Sequence, residues 1–123
     1  LRVIPGSHRK QQVAEHGIND GPGLALNREL LPDQFDESHA VDIELEAGQI
    51  SLHDVYLYHG SEANHSDHAR RGMTLRYMPT TSIYQHQHDD PHRRPGRLDM
   101  ALRTLFLMRG VDQSATNDFR MRY

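Results

Sequence analysis

The strictest constraint on the fold lies in Val41-Asp42-Ile43-Glu44-Leu45-Glu46, where apolar and acidic side chains alternate without a break. Successive side chains of a strand point to opposite faces, so this run offers one apolar and one acidic face, as in a sheet wet on one side. Ala47-Gly48-Gln49 then predicts a tight turn into Ile50-Ser51-Leu52, and Asp54 marks another before Tyr56-Leu57-Tyr58-His59. Gly72-Met73-Thr74-Leu75-Arg76-Tyr77-Met78 is again strand-like and is stopped by Pro79. Residues 56–59 are expected to pair antiparallel with residues 72–78 across a polar loop, making a hairpin with His59 and Arg70 near one end.

Outside this region the pattern is weaker. Residues 1–9 read as a short strand ended by the Pro5-Gly6 turn. From Lys10 to Ala40, Gly17, Asn19-Asp20-Gly21-Pro22-Gly23 and Pro32-Asp33 interrupt polar sequence, with Leu24, Leu26, Leu30 and Leu31 as apolar anchors. This predicts a long connection with at most one short helix, and connections of that length are functional lids or disordered segments. Residues 84–97 read as irregular, residues 98–108 as either a helix or a buried strand, and residues 110–123 as polar loop. No repeat or low-complexity tract is present. A chain of 123 residues with 36% hydrophobic content has room for one core and one site. The expectation is a single all-β domain over 1–123, mostly antiparallel, with long polar loops.

Charge narrows the choice of partners. A formal charge of −3 gives no broad basic field for nucleic acid. Thirteen arginines against the single Lys10 suit carboxylate or phosphate recognition, because the guanidinium fork binds those groups with two parallel bonds. Without cysteine there is no disulfide, thiolate metal site or thiol nucleophile. No apolar run approaches the roughly 18 to 20 residues of a membrane helix, and no basic segment leads into an apolar one at the start, so a soluble cytoplasmic protein is expected. Ten histidines are the compositional outlier. His59, followed by Gly60-Ser61, stands where a strand ends and where a metal ion can be approached closely. With Arg70 nearby it would suit an anion that chelates a metal at one end and meets a guanidinium at the other. A solvated or hydrogen-bonded structural histidine is the competing reading.

Residues 1–9, Glu46-Ala47-Gly48-Gln49 leading to His59-Gly60-Ser61, Asn64, Ser66-Asp67, Arg70-Arg71 and Leu75-Arg76-Tyr77 follow an order and spacing that resembles the phytanoyl-CoA dioxygenase family. Phe106-Leu107-Met108-Arg109-Gly110 and Asn117-Asp118-Phe119-Arg120 resemble the tails of bacterial members. The resemblance implies a double-stranded β-helix, the cupin-like jelly roll of Fe(II)- and 2-oxoglutarate-dependent oxygenases. By position, His59 matches the distal histidine of a 2-His-1-carboxylate triad and Arg70 the arginine that pairs with the far carboxylate of 2-oxoglutarate. Strand alternation sends Arg71 to the opposite face. Ser61, Asn64 and Ser66 fall in the intervening loop as cosubstrate contacts or as turn-stabilising groups, and His8 in the Pro-Gly turn is read as structural.

One departure accompanies the resemblance. The family's other histidine and carboxylate form a His-x-Asp pair upstream of the Pro-Gly-Ser-His stretch, whereas His65-Ser66-Asp67 and His88-Asp89-Asp90 both follow His59. The chain is therefore expected to be the C-terminal part of such a domain, with one iron ligand of three, weak Fe(II) binding, no activity alone and sheet edges that favour a homo-oligomer. The parent would hydroxylate a small organic substrate. Two other readings are open: a non-catalytic β-fold binding a small anion through Arg70, Arg71 or Arg76, and a metal-binding accessory protein using His86, His88 and His92.

Overall fold

The computed structural model describes residues 1–24, 26–86 and 102–122. The chain divides into two compact units, Leu1–Arg70 and Arg71–Tyr123. The described residues form short strands, 3₁₀ turns and coil, an all-β architecture with no α-helix among them. None of their helices is long and apolar enough to cross a membrane.

The first unit is built on β1 (Arg2–Val3), which lies at the centre of a three-stranded antiparallel sheet in the order β4-β1-β5. β4 is Val41–Asp42, and β5 is His59–Gly60. Arg2 faces Asp42 on one side and Gly60 on the other, while Val3 faces Val41 and His59. The backbone pairing continues past β4 through Ile43 N–H to the Leu1 carbonyl at 2.6 Å. Among the described residues of this unit Val3 is the buried apolar one, at 9% exposure, whereas Ile50 (78%), Leu52 (87%) and Val55 (83%) are open to solvent. With so little apolar burial, hydrogen bonds and ion pairs carry much of the local geometry. The Arg2 guanidinium reaches Glu37 at 2.7 Å, Asp42 at 3.5 Å and Glu62 at 3.8 Å, joining a 3₁₀ turn, β4 and the loop after β5.

The segment expected as a long loop contains a hairpin. β2 (His16–Ile18) pairs antiparallel with β3 (Arg28–Leu30). Asn19 sets the turn: its Oδ1 accepts the Gly21 N–H at 2.9 Å, its Nδ2 donates to Glu29 at 3.0 Å, and its N–H donates to the Asn27 carbonyl at 2.8 Å. Gly17 depresses strand propensity in the sequence, yet a Cβ there would lie 3.0 Å from Leu31 Cδ2, so the glycine permits close packing. Two 3₁₀ turns, Pro32–Gln34 and Glu37–His39, lead on to β4. In the second turn Asp36 accepts bonds from the Ser38 N–H at 2.9 Å and hydroxyl at 2.6 Å.

The second unit contains β6 (Leu105–Leu107), paired in parallel with β7 (Phe119–Arg122). Leu105 and Leu107 are buried while Phe106 is half exposed, so the ambiguous segment resolves to strand over these residues. Residues 98–101 lie outside the described residues. The terminal stretch expected as polar loop contains β7, because β6 supplies the edge that its own sequence does not advertise. Asn117 is buried beneath the connection between them, at 7% exposure. Its Nδ2 donates to the Ser82 carbonyl at 2.8 Å and Ser114 Oγ at 3.0 Å, and its Oδ1 accepts the Tyr84 N–H at 2.9 Å.

Both turns carry a pH dependence. Bonds from the Ser114 hydroxyl lower the Asp112 pKa, and bonds from the Ser38 hydroxyl lower that of Asp36, each from the ordinary 3.8. A depressed folded-state pKa contributes stability that is present above the unfolded value and lost as pH falls through the folded one. The Ser114 and Ser38 amides should therefore keep constant exchange protection at neutral pH and lose it progressively as acidification protonates Asp112 and Asp36, measured by amide exchange across an acid titration.

Candidate functional site

The geometry around His59 begins with turn chemistry. Asp54 Oδ1 accepts the Tyr56 N–H at 2.8 Å, and the Asp54 carbonyl accepts the Leu57 N–H at 3.1 Å, which folds the chain back just before β5. Ser7, delivered by the Pro5-Gly6 turn with Gly6 at φ 82°, accepts the Tyr58 N–H through its hydroxyl at 2.8 Å. The Tyr58 carbonyl accepts the Ile4 N–H at 2.9 Å. The Pro-Gly-Ser turn thus holds the residue before His59 from both sides. The sequence assigns Ser7 no role, since its partner lies 51 positions away.

Residues 72–78, expected as a strand, form none. His59 and Gly60 pair with β1, and residues 72–78 have no strand pairing, with Met73 (87%), Leu75 (66%) and Tyr77 (74%) exposed. Alternation gives a segment a strand's two faces but does not choose its neighbour, and β5 finds its neighbour in β1.

His59 Nδ1 lies 2.8 Å from the Leu57 carbonyl. A carbonyl only accepts, so Nδ1 carries the proton, and the neutral ring keeps its lone pair on Nε2. Such a backbone contact fixes tautomer and ring orientation in metal-ligating histidines. The ring is exposed and its centre lies 5.0 Å from that of His53. On one side it borders a depression of about 110 Å³ lined by Val13, His16, Leu30, Tyr56 and Tyr58.

Ser61, Asn64 and Arg70 line a different groove, of about 230 Å³, together with Arg2, Asp42 and Glu62. The structure therefore brings the three loop candidates together and sets His59 on a separate depression. Asn64 closes the loop on itself: its Nδ2 donates to the His68 carbonyl at 2.7 Å and its Oδ1 accepts the Ser66 N–H at 3.1 Å and hydroxyl at 2.8 Å. These bonds fit the turn-stabilising reading of Asn64 and Ser66. Among the described residues Arg70 has no hydrogen bond or ion pair, which leaves its guanidinium available to an anion, whereas Arg2 is committed to three carboxylates. Arg71 belongs to the second unit.

An iron centre of two imidazoles and a carboxylate needs three donors converging on one point. Among the described residues no group of three His, Asp or Glu side chains is placed to hold a metal ion. His59 has the right donor, but the described side chains do not by themselves fit that centre. His65 and Asp67 are exposed in the Asn64 loop. His88, Asp89, Asp90 and His92 lie outside the described residues.

A family model described as Phytanoyl-CoA dioxygenase (PhyH) matches residues 1–72, a span that holds His59, Ser61, Asn64 and Arg70. No curated protein and no solved structure matches the chain.

Proposed function

The chain belongs to the phytanoyl-CoA dioxygenase family, and from that premise we propose that residues 1–123 are the C-terminal portion of an Fe(II)- and 2-oxoglutarate-dependent oxygenase that hydroxylates a small organic substrate. The observation that carries this reading is the family match over residues 1–72, which includes both His59 and Arg70. In this reading the short sheets belong to a jelly roll completed by sequence outside the 123 residues, and that sequence brings the His-x-Asp pair. His59 supplies one imidazole, with Nε2 presented by the Leu57 contact. Arg70 pairs with the far carboxylate of 2-oxoglutarate, where two parallel charged bonds fix its direction. Ser61 lines the same groove and Asn64 holds its loop in shape. Bound iron, with oxygen as the oxidant and 2-oxoglutarate as the co-reductant, would supply the oxidation; these residues would bind and orient.

The outer edges of β4 and β5, unpaired among the described residues, support self-association of the isolated chain, because unpaired backbone N–H and C=O groups template strand addition. The decisive experiment is succinate formation in the presence of Fe(II), 2-oxoglutarate and oxygen. A longer polypeptide that includes a His-x-Asp pair before residue 1 should release succinate, and the 123-residue chain should release none. A longer polypeptide that carries the pair, folds and releases no succinate would sink the proposal.

A further inference from the structure

His53 and His59 lie in the same unit, are both exposed, and face each other with ring centres 5.0 Å apart and planes tilted by 54°. The sequence assigns His53 no role, and nothing in the oxygenase reading uses it. Two imidazoles bound side by side to one ion, each nitrogen about 2.0 to 2.1 Å from the metal, put their ring centres roughly 4.5 to 5.2 Å apart. The observed separation falls within that window. His59 already has Nδ1 committed to the Leu57 carbonyl, so its lone pair is on Nε2. Among the described residues no group bonds to the ring nitrogens of His53. Neither ring must surrender a strong partner to take a metal, beyond shedding water. Asp54 Oδ1 accepts the Tyr56 N–H at 2.8 Å, and among the described residues no set of three His, Asp or Glu side chains is placed to hold one ion.

We propose that His53 and His59 form a two-imidazole site for a divalent first-row ion that favours nitrogen donors, such as Zn²⁺, Ni²⁺ or Cu²⁺, with water in the remaining positions. Two neutral imidazoles exclude Mg²⁺ and Ca²⁺, which take oxygen ligands. Affinity should rise from Ni²⁺ to Cu²⁺ and fall again at Zn²⁺, as nitrogen sites generally order these ions. The site needs no residue outside the 123 and shares His59 with the iron centre of the proposed function.

The test is a titration of the full 123-residue chain with Zn²⁺ alone, followed by calorimetry and by the imidazole NMR resonances. One equivalent should move the His53 and His59 ring signals together. His53→Asn and His59→Asn should each weaken binding by about tenfold or more, because losing either donor removes the chelate advantage. His16→Asn and His68→Asn should leave the affinity unchanged. The proposal is overturned if His53→Asn binds as the parent does, or if only one of the two rings responds. Should His59→Asn fail to fold, the ring signals of the unsubstituted chain still decide the question. Succinate formation is a separate readout, so loss of the oxygenase reading leaves this result standing, and the reverse also holds.

Discussion

Asn117→Leu is expected to destabilise the second unit by about 3 kcal/mol, since the substitution strips partners from several buried or half-buried polar groups at once and each such loss costs about 1 to 3 kcal/mol. Asn117 is 7% exposed and serves four groups: it donates to the Ser82 carbonyl, Ser114 Oγ and Asp112 Oδ1, the last at 3.4 Å, and accepts from the Tyr84 N–H. Leucine has the same branched skeleton, is bulkier and can make none of these bonds. The segment from Ser82 to Tyr84 would lose its tie to the connection between β6 and β7. Urea unfolding followed by circular dichroism gives the size of the loss, and amide exchange at Tyr84 and Leu107 locates it. Unchanged protection at Tyr84 would show that the network is not what holds this segment. Asn117→Asp is the informative companion. The new carboxyl would stand against Asp112 in place of an amide donor, and like charges raise a carboxyl pKa above its ordinary value of about 3.9. A raised folded-state pKa gives a penalty at neutral pH that is relieved as pH falls through it. Part of the lost stability should therefore return on mild acidification, which Asn117→Leu cannot show.

Arg70→Gln in the longer, active polypeptide should raise the KM for 2-oxoglutarate by about 10- to 100-fold, the range expected for loss of a bidentate charged hydrogen bond. Arg70 is the candidate because it lines the Ser61–Asn64 groove and makes no ion pair among the described residues. Arg2 lines the same groove, but Glu37, Asp42 and Glu62 already neutralise it. Arg70→Lys should fall between the two, as an ammonium supplies charge without the planar fork. Arg71→Gln should leave the KM within about twofold, because alternation along an extended backbone turns adjacent side chains to opposite faces. Succinate release against 2-oxoglutarate concentration measures all three variants. A large effect at Arg71 with none at Arg70 would reverse the assignment.

His59, Ser61, Asn64 and Arg70 could be singled out because they sit close together in the chain and in a spacing that resembles a family's. Ser61, Asn64 and Arg70 do share a groove. Asn64 also showed its own chemistry in sequence, since a short amide side chain in a polar loop bonds to nearby backbone, and here it bonds to Ser66 and His68. Ser7 and His53 were not legible as contributors. Ser7 acts on Tyr58 across 51 positions, and His53 meets His59 only after the Asp54 turn folds the intervening residues.

The sequence by itself determined the family, the β character of the chain, the turns at Pro5-Gly6, Gly48 and Asp54, and the residues around which a site is proposed. These depend on local chemistry: alternation, proline and glycine dihedrals, and side chains that bond to their own backbone. Only the tertiary structure decided which edges meet. β5 pairs with β1, Gly17 belongs to a hairpin strand, and Phe119–Arg122 forms a strand beside Leu105–Leu107. The physical reason is that a period of two orders a strand's faces while saying nothing about its edges. Its hydrogen bonds go to whichever backbone the rest of the fold brings alongside.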